Sequence, residues 1–278
     1  MISKQELMEQ AKIHNLPVNT IEKDYVLSWI LAGIAEADKL KGHWIFKGGT
    51  CLKKCFFESY RFSEDLDYTI TDPAHCNLDF LKSEFIDVSE WIYDQVGIEI
   101  SPDGVTFESY ENPRGQISIQ GKIAYKGPMQ RRGNAPTIKL DLCWDEIMVE
   151  PPTSRAIHHP YTDENFDFRV QTYCIEEIFA EKLRALVERM RPRDLYDIIH
   201  LHNDNRWQPD KARVLATLIK KCKFKGVDVP TMAFINAMPN KQDLVMDWDN
   251  MLAHQISNLA LAEFYWEKLP AVFHWLYG

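Results

Sequence analysis

The chain has 278 residues, 45% of them hydrophobic and 12% aromatic, which is enough for a packed core and excludes a disordered polypeptide. Its 41 acidic against 32 basic residues leave a formal net charge of −9, which excludes a sequence-independent nucleic-acid coat built on many phosphate contacts. The apolar segments are broken by charges well before membrane length and none follows a basic leader, so no membrane association is expected and a cytoplasmic location is the default.

In chain order, the first expected element is a helix near Thr20, capped by Asn19 with Glu22 completing a capping box, and carrying Tyr25, Val26, Trp29, Ile30, Leu31 and Ile34 at helical spacing. From residue 44 the period shortens, and strands are expected at 44–47, 65–71, 98–100, 116–125, 137–144 and 168–172, with one amphipathic helix at 78–96. Loops are expected at 127–136 and 150–160, the latter carrying Pro151, Pro152 and Pro160. Beyond 173 only helical patterns remain, at 175–190, 194–203, 210–222, 241–254 and 256–277. The fold class read from this is α+β: a mixed sheet with helices packed on it in residues 1–172, followed by an all-helical C-terminal domain in residues 173–278.

The most informative stretch is FKGGTCLKKCFFESYRFSEDLDYTI. Asp65 and Asp67 stand at i and i+2 of an expected strand, so both carboxylates share one face of the sheet. Two like charges there call for a cation, either a basic side chain or a hard oxygen-seeking ion such as Mg²⁺. Gly48 and Gly49 let backbone N–H groups approach a ligand, Thr50 adds a hydroxyl, and a helix beginning there would turn its positive end to phosphate. Further along, TIKLDLCW alternates so that Ile138, Leu140 and Leu142 share one face while Lys139, Asp141 and Cys143 share the other. Asp141 is thus a candidate third acid, suited to metal binding and to accepting a proton from an attacking hydroxyl. The structural alternative is that Asp141 pairs with Lys139 or Arg132.

Within 175–190, Lys182 falls inside the apolar stripe made by Ile175, Ile178, Phe179, Leu183, Leu186, Val187 and Met190. It either reaches a triphosphate as a point charge or snorkels and pairs with an acid such as Glu58. In PRDLYD, Asp194 is placed to cap the next helix and Asp197 to pair with Arg193 or Lys182. Ser63 is expected on the same strand face as Asp65, where a phosphate on it would compete for Mg²⁺. The six cysteines form no CxxC pair and read as reduced thiols, with Cys51 and Cys55 one helical turn apart for packing. Basic clusters at Lys53–Lys54, Arg131–Arg132, Arg184–Arg193 and Lys220–Lys225 read as solvated faces, and His158, His159, His200 and His202 as loop or helix-face residues too loosely spaced to ligate a metal.

The ordered set KGGT, RFSEDLDY, the Asp of KLDL, EEIFAEKLRAL and RPRDLYDI resembles the AbiEii/AbiGii family of nucleotidyltransferase toxins, relatives of the DNA polymerase β-like superfamily. The opening IEKDYVLSWIL is similar to that family's N-terminal helix, so the likeness covers most of residues 20–201. The resemblance implies a polymerase β-like nucleotidyltransferase core in which Gly48, Gly49 and Thr50 hold phosphates, Asp65 and Asp67 bind Mg²⁺, Asp141 is the third acid, Lys182 meets the nucleotide, and Asp194 and Asp197 form the RDxxD motif. It implies transfer of a nucleoside monophosphate from an NTP to an acceptor, the tRNA 3′ end first, blocking translation, with a cognate antitoxin as partner. Transfer to a protein hydroxyl, a nucleotide-binding regulator without turnover, and phosphate-ester hydrolysis are the other readings the residues leave open.

Overall fold

Ser3 accepts the Glu6 amide at 3.1 Å and Asn15 takes a left-handed conformation, which together delimit α1, Lys4–His14. The computed structural model describes residues 1–111, 115, 117–131 and 133–278. α2, Val18–Glu36, begins after Pro17 with no side-chain cap, two residues earlier than expected. The capping box at Asn19 is therefore absent. Asn19 lies inside the first turn, and Glu22 is buried, accepting the Met129 amide at 2.8 Å and pairing with Arg131 Nε at 3.4 Å. The expected stripe from Tyr25 to Ile34 is buried throughout.

β1, Trp44–Lys47, runs directly into the short α3, Gly48–Cys51, which continues as a π-helical turn, Leu52–Phe56. β2 is Asp65–Ile70 and α4 is Leu78–Val96, capped by Asn77 on the Phe80 amide at 2.9 Å and closed by Gly97 at φ 72°. β3, Val105–Glu111, β4, Ile117–Ala124, β5, Thr137–Cys143, β6, Thr153–Ala156, and β7, Arg169–Thr172, complete the strands. The expected start of β4 at Gln116 lies outside the described residues. The strand expected at 98–100 is reduced to one bridge between Glu99 and Lys126, and β3 and β6 occur where none was expected.

One seven-stranded mixed sheet results, in the order β3-β4-β5-β2-β1-β7-β6. β2 runs parallel to β5 and β1 to β7, while the other pairs are antiparallel. Phe46, Tyr68, Leu142 and Ile119 form a buried row across four strands, each side chain contributing about 1.5–3 kcal/mol by leaving water. Trp44 and Phe107 meet Phe85 of α4 on the same side. The opposite face carries the polar alternation.

Contacts divide the chain into Met1–Glu146 with Pro152–Thr172, which contains the sheet, and Ile147–Pro151 with Tyr173–Gly278. The second unit is helical, as expected: α5, Ile175–Arg189, α6, Pro192–Asn203, α7, Lys211–Lys225, α8, Met232–Ala237, α9, Lys241–Met246, α10, Trp248–Leu252, α11, Ala262–Trp266, and α12, Leu269–Tyr277. Residues 147–151 join this unit because the Val149 and Glu150 amides donate to the Glu177 carboxylate of α5, at 3.2 and 2.9 Å. The two long helices expected at 241–254 and 256–277 are broken. Pro270 sits in the first turn of α12, where a preceding helix could not continue through it.

Candidate active site

The junction of β1 and α3 is built around Gly48, whose φ of +80° is the left-handed region that an L side chain resists. A Cβ placed on Gly48 would collide with Asp67 Oδ2, so the carboxylate lies directly against the bare turn. A Cβ on Gly49 would collide with the Arg61 guanidinium, which is itself buried. The two glycines thus give their side-chain space to an acid and a base. α3 has only four residues before the helix widens, too few to build the macrodipole expected of a helix starting there. Thr50 is fully buried, and its hydroxyl donates to the Asp65 carbonyl, tying the turn to β2.

Strand register assembles the rest. Lys47 of β1 stands opposite Asp67, Asp67 beside Asp141, Asp141 opposite Gln120 and Gln120 opposite Glu108, a polar row across five strands. One step along the strands, Asp65 pairs in register with Lys139. Direct cross-strand partners project from the same face, so Asp65, Asp67 and Asp141 share it with Lys47 and Lys139. Gln120 Nε2 donates to Asp141 Oδ1 at 2.9 Å, which replaces the Lys139 pairing considered from the sequence; Arg132 lies outside the described residues. Exposed Tyr110 feels the same acids: burial first, then the charges of Asp141 and Asp67, raise its hydroxyl above the ordinary value. Lys47, Arg61, Gln120 and Tyr110 are site residues that sequence reasoning missed. For Lys47 and Arg61 the available signal was adjacency to the glycine turn and the DxD motif.

The donor set suits a hard divalent cation, because it is three carboxylates presented on one sheet face. Among the described residues no three His, Cys, Asp or Glu side chains are yet grouped at ion-holding distance. Asp65, Asp67 and Asp141 are the residues that would hold such an ion.

Other expectations change place. Ser63 precedes β2 rather than lying on it and is buried, so the strand-face position expected for it is not observed. Lys53 and Lys54 are buried rather than solvated: Lys54 Nζ meets Asp24 Oδ2 at 2.6 Å and Ser28 at 2.9 Å, and Lys53 donates to the Glu58 carbonyl at 3.0 Å over the Phe62 ring. Lys221 is likewise buried, 2.8 Å from Glu177 and 3.1 Å from Glu181. His159 is no surface residue but stacks on Phe166, with centroids 3.8 Å apart, and contacts Asp163 at 3.1 Å. All six cysteines are free thiols, and burial, then the neighbouring Cys55, pushes the Cys51 thiol well up.

The helical unit gathers the remaining site candidates by itself. Lys182 Nζ lies 3.2 Å from Asp194 Oδ1 and 2.8 Å from Asp197 Oδ2, and Arg189 holds Asp194 through two bonds of 2.7 and 2.9 Å. Asp194 does not cap α6, whose N-cap is Arg191; its carboxylate is committed to these cations instead. Burial raises the Asp194 carboxyl, but Arg189 and then Lys182 outweigh it and leave it below the ordinary value.

The family model described as nucleotidyl transferase AbiEii toxin, type IV TA system, matches residues 29–274. The chain belongs to this family of nucleotidyltransferase toxins. Its activity is accordingly NTP-dependent nucleotidyl transfer, and an antitoxin belongs to such a system. The fold is similar to that of MenT4, a nucleotidyltransferase toxin of Mycobacterium tuberculosis H37Rv, at 16% identity and a TM-score of 0.68, over 99% of this chain and 90% of that one. A comparison with curated proteins gave no match. Among the described residues no helix is long and apolar enough to cross a membrane.

Proposed function

We propose that the chain transfers a nucleoside monophosphate from an NTP to the 3′ end of tRNA in an Mg²⁺-dependent reaction that blocks translation. The observation that carries this reading is the row Lys47, Asp67 and Asp141 laid against the bare Gly48 turn. The acceptor's hydroxyl oxygen attacks the α-phosphorus, the bond from that phosphorus to the bridging oxygen breaks, and pyrophosphate leaves. Asp141 is placed to take the hydroxyl proton, and Gln120 orients it until it does so. Backbone N–H groups at Gly48 and Gly49 approach the phosphates beside the Arg61 guanidinium, the glycines having no side chain of their own in the way. Bound Mg²⁺, held by Asp65 and Asp67 with Asp141, would supply neutralisation of the phosphate charge. Lys182, with Asp194 and Asp197, enters the proposal as the nucleotide-contacting lysine the family resemblance implies, and Ser63 as a residue close to the chain's entry into β2.

The test is incubation of the protein with each labelled NTP, Mg²⁺ and a cell extract, followed by separate nuclease and protease digestion, with Asp67→Ala as control. Label removed by nuclease, absent without Mg²⁺ and absent with the variant is the expected result. Label removed only by protease would redirect the same half-reaction to a protein hydroxyl, and undiminished growth toxicity of Asp65→Ala and Asp67→Ala would leave a nucleotide-binding regulator.

A further inference from the structure

The polar face of β3, β4 and β5 has a charge arrangement that the nucleotide site does not use. Lys122 of β4 stands directly opposite Lys139 of β5, and Lys139 in turn is in register with Asp65. Like charges in directly opposed cross-strand positions are destabilising, and both lysines are exposed. Compensation within the protein is slight: Lys122 reaches Glu108 Oε2 only at 4.0 Å, and Lys139 forms no ion pair among the described residues. Two exposed ammonium groups side by side, with Glu108 and Asp65 as their acidic neighbours, can still hold an anion from solvent between them. Four residues along the same strands, Tyr110 stands opposite Ser118 and is 47% exposed as a residue. Along the strands, the row Glu108, Gln120 and Asp141 lies midway between the lysines and the tyrosine, with Asp67 one strand beyond Asp141.

Four residues of strand span about 13 Å of backbone, and flexible lysine side chains leaning along the strands shorten that to the reach of one nucleotide. We propose that this face seats the acceptor: Lys122 and Lys139 take the 5′ phosphate of the last nucleotide of a single-stranded RNA 3′ end, Tyr110 stacks on its base, and its ribose lies over Gln120 and Asp141, with Asp67 on the next strand. A phosphate on one side and an aromatic platform on the other is how single strands are gripped without reading paired bases. A protein hydroxyl would offer the lysine pair no charge. The inference rests on the RNA-acceptor reading above and adds the residues that position the acceptor.

The test uses the full chain with labelled NTP, Mg²⁺ and total tRNA at graded concentrations and salt. The variants are Lys122→Glu with Lys139→Glu, Lys122→Gln with Lys139→Gln, Tyr110→Ala and Tyr110→Trp, and NTP binding is measured separately by equilibrium dialysis without RNA. Charge reversal should raise the KM for tRNA by about tenfold or more and lower the slope of log KM against log salt by about one unit per phosphate lost. Tyr110→Ala should raise KM by a similar factor, corresponding to the loss of one stacked base, and Tyr110→Trp should restore it. NTP affinity should stay within about twofold, because none of these side chains is assigned to the nucleotide. An unchanged KM in folded charge-reversed protein, or NTP affinity falling in step with transfer, would overturn the acceptor face while leaving the tRNA reading standing. Wild-type protein that labels protein and not tRNA would overturn both.

Discussion

Gly48 shows how one missing atom organises a site. Its φ of +80° alone makes alanine there cost about 1–2 kcal/mol, and the added methyl would also drive into Asp67 Oδ2. Gly48→Ala should therefore lower stability by at least that amount and abolish labelling, while Gly48→Ala with Asp67→Ala should recover part of the stability and none of the activity; chemical denaturation and label incorporation measure the two. Lys53 makes a different bargain with its surroundings. It is 97% buried with the Glu58 carbonyl and the Phe62 ring as its partners among the described residues, and burial, against the attraction of Asp24 and with the repulsion of Lys54, pulls its ammonium down to about 8. The unfolded chain holds that proton up to about pH 10.4, so stability is reduced below pH 8 and rises as pH climbs from 8 toward 10.4. Lys53→Met keeps the stem and deletes the charge. It should raise the melting temperature at pH 7 and have a diminishing effect by pH 10, and a lower melting temperature at pH 7 would contradict the depressed ammonium.

At the scale of elements, α5 and α6 are joined through Lys182, shared by two buried acids, and through Arg189, which holds one of them. Removing Lys182 leaves Asp197 without its 2.8 Å partner, whereas Asp194 keeps Arg189. Breaking such a buried pair costs about 3–5 kcal/mol, mostly from the stranded charge. Lys182→Met should lose that much in urea denaturation, and Lys182→Met with Asp197→Asn should regain more than half, because the second change removes the buried carboxylate charge that Lys182 neutralised rather than adding a contact. Elements with strong local signals were legible in the sequence. β1 and α4 have the expected ends, since four consecutive buried residues and the Asn77 and Gly97 caps are local facts. α1 was legible but unread: Ser3 with Glu6 three residues on is a capping signal. β6 was hidden, because TSRA is a polar edge segment among prolines whose pairing with β7 is tertiary. The same holds for the site. The glycine turn and the DxD motif are contiguous and could be read, but the opposition of Lys122 to Lys139 and the bond from Gln120 to Asp141 depend on strand register, and the burial of Lys53 and Lys54 depends on α2 and the loop after β1.

For the molecule as a whole, acidification sets two effects against each other. The formal charge of −9 shrinks as pH falls toward the isoelectric point near 5.5, which relieves self-repulsion and favours the folded state. Buried groups act in the other direction. His14, His75, His158 and His159 are all held below the ordinary imidazole value, by burial first, so the unfolded chain binds their protons first. Their contribution is complete above about pH 6.5 and is lost as pH falls through the depressed folded values. Asp24, Asp163 and Asp194 have folded values lowered by their partners in spite of burial, so their contribution is complete above about pH 4 and disappears below it. Local desolvation outweighs diffuse repulsion, which exposed charges and salt largely screen. The melting temperature should therefore decline from pH 7 to pH 5, through the isoelectric point, and drop again more steeply below pH 4. His14→Gln with His158→Gln should flatten the first decline and leave the second. A wild-type melting temperature that peaks near pH 5.5 would mean that net charge, not the buried imidazoles, governs the acid side of this protein's stability.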